Sequence, residues 1–179
     1  GGDAGALDAA RSNFACSMAA YAVVCYLLHI KDRHNGNILL DRAGHCIHID
    51  FGFLLSNSPG NIQFEKAGFK LTRDMAAVLG GPASPSFREF RGMCVEGYLA
   101  ARTHARQVMM LIEITRAAQP DLACFCSPSV LEDLATRFQL SRGKAEAAAH
   151  FEGVIDDALD NWYTRQYDKY QGLTNGILE

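Results

Sequence analysis

Lys31-Asp-Arg-His-Asn-Gly-Asn-Ile-Leu-Leu-Asp41, followed by Ile47-His-Ile-Asp-Phe-Gly-Phe53, is the stretch of this 179-residue chain that decides its fold. Its first part, 31–37, is polar and turn-rich. Two short apolar runs follow, Ile38–Leu40 and Cys46–Ile49, joined by Asp41-Arg-Ala-Gly44. That linker has tight-turn composition, so the segment predicts a small β-hairpin. Asn37 and Asp50 flank the two runs, and the hairpin would bring them to one edge. Both carry hard oxygen ligands, the kind Mg²⁺ prefers. Asp32 stands upstream, separated from Asn37 by four residues.

In phosphoryl transfer the protein does little covalent chemistry. It must hold Mg²⁺ on the nucleotide phosphates, orient an attacking hydroxyl and neutralise developing charge. An Asp, four residues and an Asn, with a later Asp-Phe-Gly, is how a kinase catalytic loop meets those demands. Asp-Phe-Gly alone is a common tripeptide, and the Asp–Asn spacing alone carries almost nothing. Their order, bridged by a hairpin, is what gives the signal weight. The competing assignment makes Asp32, Arg33 and Asp41 a solvated turn and Asn37 a turn cap. For Asp41 the turn role is preferred.

Outward from this stretch the pattern is helical. Residues 1–8 are expected to be a flexible lead-in. From about Ala9, Phe14, Met18, Tyr21, Cys25 and Leu28 recur at three- and four-residue steps, with Asp8 or Ser12 as the cap. Downstream, Thr72 is expected to cap a helix over 73–79 that ends at Gly80-Gly81, and Ser86 to cap one through Phe87, Phe90, Cys94 and Tyr98. Whether that helix runs on through Val108 and Ile112 is left open by the pattern. Gln119-Pro120 ends the region, and Ser127-Pro128 opens a helix through Val130, Leu134 and Phe138. A last helix is expected from Ser141 through Phe151, Ile155, Leu159 and Trp162. The fold class is therefore mainly α with a small β-hairpin.

Composition sets the outer bounds. With 49% hydrophobic and 21% charged residues, general disorder is excluded. The net charge of −3 offers no basic field, so no nucleic-acid partner is expected. Six cysteines without a Cys-x-x-Cys pair suggest reduced, mostly buried thiols and a reducing cytosol. The most apolar run, Ala19–Leu28, is short of the roughly 20 residues a spanning helix needs. The opening Gly1–Ala6 has no basic n-region, and no initiator Met begins it, as expected of a fragment.

Taken together, Asp32-Arg-His-Asn-Gly-Asn-Ile-Leu-Leu-Asp41 and His48-Ile-Asp-Phe-Gly-Phe53 resemble the phosphatidylinositol 3-/4-kinase family. Protein kinases place His-Arg before the catalytic Asp, whereas this family places Arg-His after it. Asn61-Ile-Gln-Phe-Glu-Lys-Ala-Gly-Phe-Lys-Leu-Thr72 and Tyr167-Asp-Lys-Tyr-Gln-Gly-Leu-Thr-Asn-Gly-Ile177 are similar to the type III beta phosphatidylinositol 4-kinases. The resemblance covers about 9–178, dense over 30–81 and looser over 82–160. It implies a protein-kinase-like C-terminal lobe of the lipid kinase type: catalytic loop 31–37, Asp-Phe-Gly 50–52, activation loop 51–72 and a helical remainder over 72–170. Within it, Asp32 and His34 would sit beside the inositol hydroxyl, one of them accepting its proton. Arg33 would support the loop. Asn37 and Asp50 would bind Mg²⁺, or Mn²⁺ in its place, on ATP. Phe51 and Gly52 would open the activation loop. The implied reaction is transfer of the ATP γ-phosphate to the 4-hydroxyl of phosphatidylinositol in a membrane. The implied location is cytoplasmic, peripheral on Golgi or other internal membranes.

Charge bears on the substrate. A kinase acting on a phosphorylated inositol would want several Lys or Arg in the activation loop. Between Phe51 and Thr72 the only charges are Glu65, Lys66 and Lys70, net +1, which suits phosphatidylinositol itself and makes Lys66 and Lys70 the candidate headgroup contacts. Trp162, Tyr163, Tyr167 and Tyr170 give an aromatic end that either packs on the lobe or meets a membrane interface. His48 is expected to be a core histidine. No Gly-x-Gly-x-x-Gly and no N-lobe Lys occur. The N-lobe is thus expected in a longer parent, with regulatory partners such as a small GTPase, and the chain alone is expected to be weakly active. The rivals are a phosphatidylinositol 3-kinase, a related large protein kinase, or a truncated, non-catalytic interaction module.

Overall fold

The computed structural model describes residues 2–59 and 67–177. Helix α1, Gly2–Leu28, is its spine. Residues 2–8, expected as a flexible lead-in, continue this helix, and Asp8 and Ser12 lie inside it instead of capping it. Ala4, Ala6, Ala9 and Ala10 supply the helix propensity that outweighs Gly5.

Strands β1 (Ile38–Leu40) and β2 (Cys46–His48) pair antiparallel, with Ile38 opposite His48 and Leu40 opposite Cys46. Asp41 closes the turn: its Oδ1 accepts from Ala43 N at 2.9 Å and His45 N at 2.8 Å. Hydrogen bonds from His45 hold the Asp41 carboxyl below its ordinary range. Gly44, at φ +91°, passes so close to α1 that a Cβ there would lie 2.4 Å from Ala10 O. The hairpin is tied to α1 by Cys46 N to Ser17 Oγ, 2.9 Å, and by His48 stacked on Tyr21 at 4.0 Å.

The helical remainder comprises α2 (Arg73–Val78), α3 (Pro85–Thr103), α4 (Ala105–Ala118), α5 (Val130–Phe138), α6 (Lys144–Ala158) and α7 (Trp162–Asn175). Thr72 caps α2 as expected, accepting from Met75 N. For α3 the cap is Ser84, not Ser86, because Pro85 takes the first helical position with its φ preset. His104 separates α3 from α4. At α5 the cap position falls to Ser129, two residues later than expected, since Ser127-Pro128 form a turn. The core joins Phe14, Met18 and Cys25 of α1 to Phe87, Phe90, Cys94 and Tyr98 of α3 and to Phe151 and Ile155 of α6. Tyr98 stacks on Phe151 at 4.5 Å and donates its hydroxyl to Arg137 O. Burying each such side chain contributes about 1.5–3 kcal/mol.

The largest departure from the sequence pattern is at 159–161, where the single expected helix is two. Leu159 forms a parallel bridge with Leu71, Asp160 takes φ +50°, and Asp160 N donates to Leu71 O at 2.9 Å. Leu71 is wholly buried, so this backbone pairing is shielded from water and prevails over helix continuation. Asn161 then caps α7. Cys25, Cys46 and Cys94 are buried, Cys124 is half-buried, and Cys16 and Cys126 are exposed, so burial is less general than expected. Burial pushes the Cys94 thiol up to about 12. No helix among the described residues is long and apolar enough to cross a membrane.

Candidate active site

The loop 31–37 is held by its own backbone and by Arg33. Lys31 N donates to Phe53 O at 2.9 Å. Arg33 is buried, and its guanidinium donates to Lys31 O, Ile49 O and Asp50 O. One side chain thus fastens loop 31–37 to the residues that carry Asp-Phe-Gly. Its guanidinium carbon also stands 5.5 Å from the Phe51 ring centre.

Asp32 and Asp50 both take left-handed backbone, φ +64° and +56°. The Asp32 carboxylate accepts a hydrogen bond from the Tyr167 hydroxyl and lies 3.8 Å from His34 Nε2. His34 Nδ1 is buried with no hydrogen-bond partner among the described residues, facing Gly36, where a Cβ would come within 3.1 Å of the ring. Asn37 is buried and donates Nδ2 to Asp32 O at 2.9 Å, which leaves its Oδ1 as the atom for a cation. Its backbone O accepts from Ile49 N at 3.0 Å, so the hairpin brings Asn37 beside the residue preceding Asp50. The Asp50 carboxylate is exposed, and its Oδ1 accepts from Gly52 N at 3.3 Å. An amide oxygen and an exposed carboxylate at one edge fit a hard divalent cation. Asp32, Arg33, His34, Asn37, Asp50, Phe51 and Gly52 therefore share one region.

The two expected headgroup lysines fare differently. Lys66 lies outside the described residues. Lys70 turns inward: its side chain is 2% exposed, and Nζ donates to Asp168 Oδ1 at 2.6 Å and Asn35 Oδ1 at 2.7 Å. It ties the segment before α2 to loop 31–37 and to α7, and its charge is committed there. The segment after Asp-Phe-Gly is anchored as well, by Leu55 N to Leu28 O and Ser56 Oγ to Cys124 O. His48 is buried in the core as expected, but it is not fully satisfied, since its Nε2 has no hydrogen-bond partner among the described residues; burial foremost, with Arg33 and Lys70 nearby, lowers it to about 4.

Sequence reasoning missed Asp168, Gln171 and Asn35, and treated Tyr167 as one aromatic of an end that either packs on the lobe or meets a membrane interface. Tyr167 does pack, but Tyr170 does not: it is 58% exposed. The only available signal was that Tyr167 lies in the segment similar to lipid kinases.

A family model described as phosphatidylinositol 3- and 4-kinase matches residues 1–124. Over 171 residues, 95% of the chain, it is 49% identical to a phosphatidylinositol 4-kinase of Dictyostelium discoideum, covering 14% of that protein. It is 47% identical to phosphatidylinositol 4-kinase beta 1 of Arabidopsis thaliana, covering 94% of the chain and 15% of that protein. Against phosphatidylinositol 4-kinase beta of Xenopus laevis the identity is 43%, covering 94% and 21% respectively. The chain thus spans no more than about a fifth of the length of these relatives. With most of its residues matched by the family model, and nearly all aligned to these lipid kinases, the chain belongs to the phosphatidylinositol 3- and 4-kinase family.

Proposed function

We propose that the chain is the C-terminal catalytic lobe of a 1-phosphatidylinositol 4-kinase, which transfers the γ-phosphate of ATP to the 4-hydroxyl of phosphatidylinositol. The observation that carries this is the Asp32–His34 pair, 3.8 Å apart, on a loop that Arg33 and Asn37 fasten to the Asp50 edge. Asp32 or His34 accepts the proton of the attacking hydroxyl. Asn37 Oδ1 and the Asp50 carboxylate would hold Mg²⁺, or Mn²⁺. Such a cation would supply positive charge to offset the negative charge of the transferring phosphoryl group. The loop over 51–72 receives the headgroup, and its low charge favours an inositol bearing no further phosphates. The names of the relatives favour the 4-hydroxyl.

The N-lobe supplies the Gly-rich strand and Lys that this sequence does not contain. The parent protein acts on the cytoplasmic face of Golgi or other internal membranes, where regulatory partners, small GTPases among them, would reach it. The test is phosphorylation by the full-length parent of phosphatidylinositol vesicles against a peptide acceptor, with the product isomers separated. Phosphatidylinositol 4-phosphate is expected. The 3-phosphate would identify the 3-kinase alternative, peptide phosphorylation the protein-kinase one, and no transfer at all the interaction module.

A further inference from the structure

Residues 167, 171 and 175 lie at four-residue steps on α7, so their side chains share one face. Asn175 Nδ2 donates to Gln171 Oε1. That assigns the Gln171 oxygen as acceptor and leaves its Nε2 to donate, which it does, to the Tyr167 hydroxyl at 2.8 Å. The phenol oxygen accepts there, and its own proton goes to Asp32 Oδ1. Every bond runs the same way along the helix, and each polarises the next. Tyr167 and Gln171 are each only 7% exposed, so water competes little for these groups.

Resting on the catalytic role proposed above for Asp32, we propose that Asn175, Gln171 and Tyr167 form a one-way donor chain that makes Tyr167 a positioning residue for phosphoryl transfer. The Asp32 carboxylate stands on a loop, and rotation about its terminal torsion is soft. A phenol proton delivered to one oxygen fixes the carboxylate plane, and with it the approach of the hydroxyl whose proton is to be taken. The phenol oxygen is not what docks α7. Asp168, next along the helix, is anchored independently to Lys70, and Lys70 to Asn35 of the catalytic loop. The phenol ring fills space that a phenyl ring fills equally. Removing the hydroxyl therefore separates positioning from packing.

The experiment uses the full-length parent, ATP and phosphatidylinositol vesicles, with wild type, Tyr167→Phe, Gln171→Met and the double variant. Small misplacements of a catalytic group cost up to about 100-fold in rate. Tyr167→Phe is accordingly expected to lower kcat about 10- to 100-fold, with both KM values within about twofold and the melting temperature retained. Gln171→Met, which lets the phenol turn, should lower kcat about 3- to 10-fold. The double variant should be no worse than Tyr167→Phe, since both changes break one chain. An unchanged kcat in Tyr167→Phe overturns the proposal. So does a rise in KM for ATP that tracks a loss of melting temperature, and so do multiplicative losses in the double variant. A wild type that phosphorylates no lipid overturns the functional assignment beneath it. An active wild type beside an unimpaired Tyr167→Phe overturns the donor chain alone.

Discussion

Lys70 Nζ and Asp168 Oδ1 meet at 2.6 Å across 98 positions of sequence, with the lysine side chain 2% exposed. Breaking a buried pair by removing one partner costs about 3–5 kcal/mol, because the remaining charge stays out of water. Asp168→Ala is expected to fall toward that range. Arg73, paired with Asp160 at 2.7 Å but 79% exposed, makes the contrast: Arg73→Ala should cost less than about 1 kcal/mol. Denaturant midpoints of the two variants beside wild type measure the difference. Equal losses would remove the special status of Lys70.

Asp50 is expected to matter through a cation. Its exposed carboxylate is the one ionised oxygen donor proposed for the metal edge. Lewis-acid stabilisation of a transferring phosphoryl group is worth several kcal/mol, so Asp50→Asn should lower kcat on the order of 100-fold or more. It should also raise the Mg²⁺ concentration giving half-maximal rate. Rate against Mg²⁺ concentration checks both, and an unshifted Mg²⁺ curve would remove Asp50 from the metal site.

Acid should weaken the fold through His48. Its folded value is lowered to about 4 from 6.5, chiefly by burial. A depressed histidine binds fewer protons folded than unfolded between those values, so stability rises with pH there. The contribution is fully present above about pH 6.5 and is lost as pH falls toward 4. At about 1.4 kcal/mol per unit, His48 accounts for roughly 3 kcal/mol of that loss. His29, lowered to about 4 by burial and then by Lys31, acts in the same direction. His48→Phe, which keeps a ring against Tyr21, should flatten the acid limb of denaturant midpoints taken from pH 7 to 4.5. An unaltered limb would place the acid sensitivity elsewhere.

The outer face of α7 presents Trp162 at 57%, Tyr170 at 58% and Leu173 at 89% exposure. A lipid kinase must reach a bilayer, and Trp and Tyr favour its interface. Trp162→Ala should reduce flotation of the parent protein with phosphatidylinositol vesicles by about tenfold, the effect of roughly 1.4 kcal/mol of lost side-chain burial. Flotation equal to wild type would assign this face to something other than lipid.

Local chemistry was legible in the sequence wherever local chemistry decided the outcome. The hairpin followed from two apolar runs around Asp41–Gly44, and the α2 cap from Thr72. Asp32, Asn37 and Asp50 could be picked out by their spacing around a short hairpin, whereas Arg33 and His34 were singled out only by the resemblance to the phosphatidylinositol kinase family. The break at Asp160 could not be foreseen. Phe151, Ile155, Leu159 and Trp162 keep helical spacing through it, and the interruption comes from Leu71, far away in sequence. The inward turn of Lys70 escaped for the same reason, since its counter-charge lies on the last helix. Net charge in a loop counts lysines without saying which of them tertiary structure has already used.

The left-handed φ of Asp32 and Asp50 has a bearing on how an inactive control should be made. Asp and Asn tolerate that conformation through local side-chain hydrogen bonding, whereas other side chains with a Cβ pay about 1–2 kcal/mol. Alanine or glutamate at either position would alter the shape of the loop together with its charge. Asparagine keeps the shape and removes the charge, and is the only cleanly interpretable knockout at these two sites.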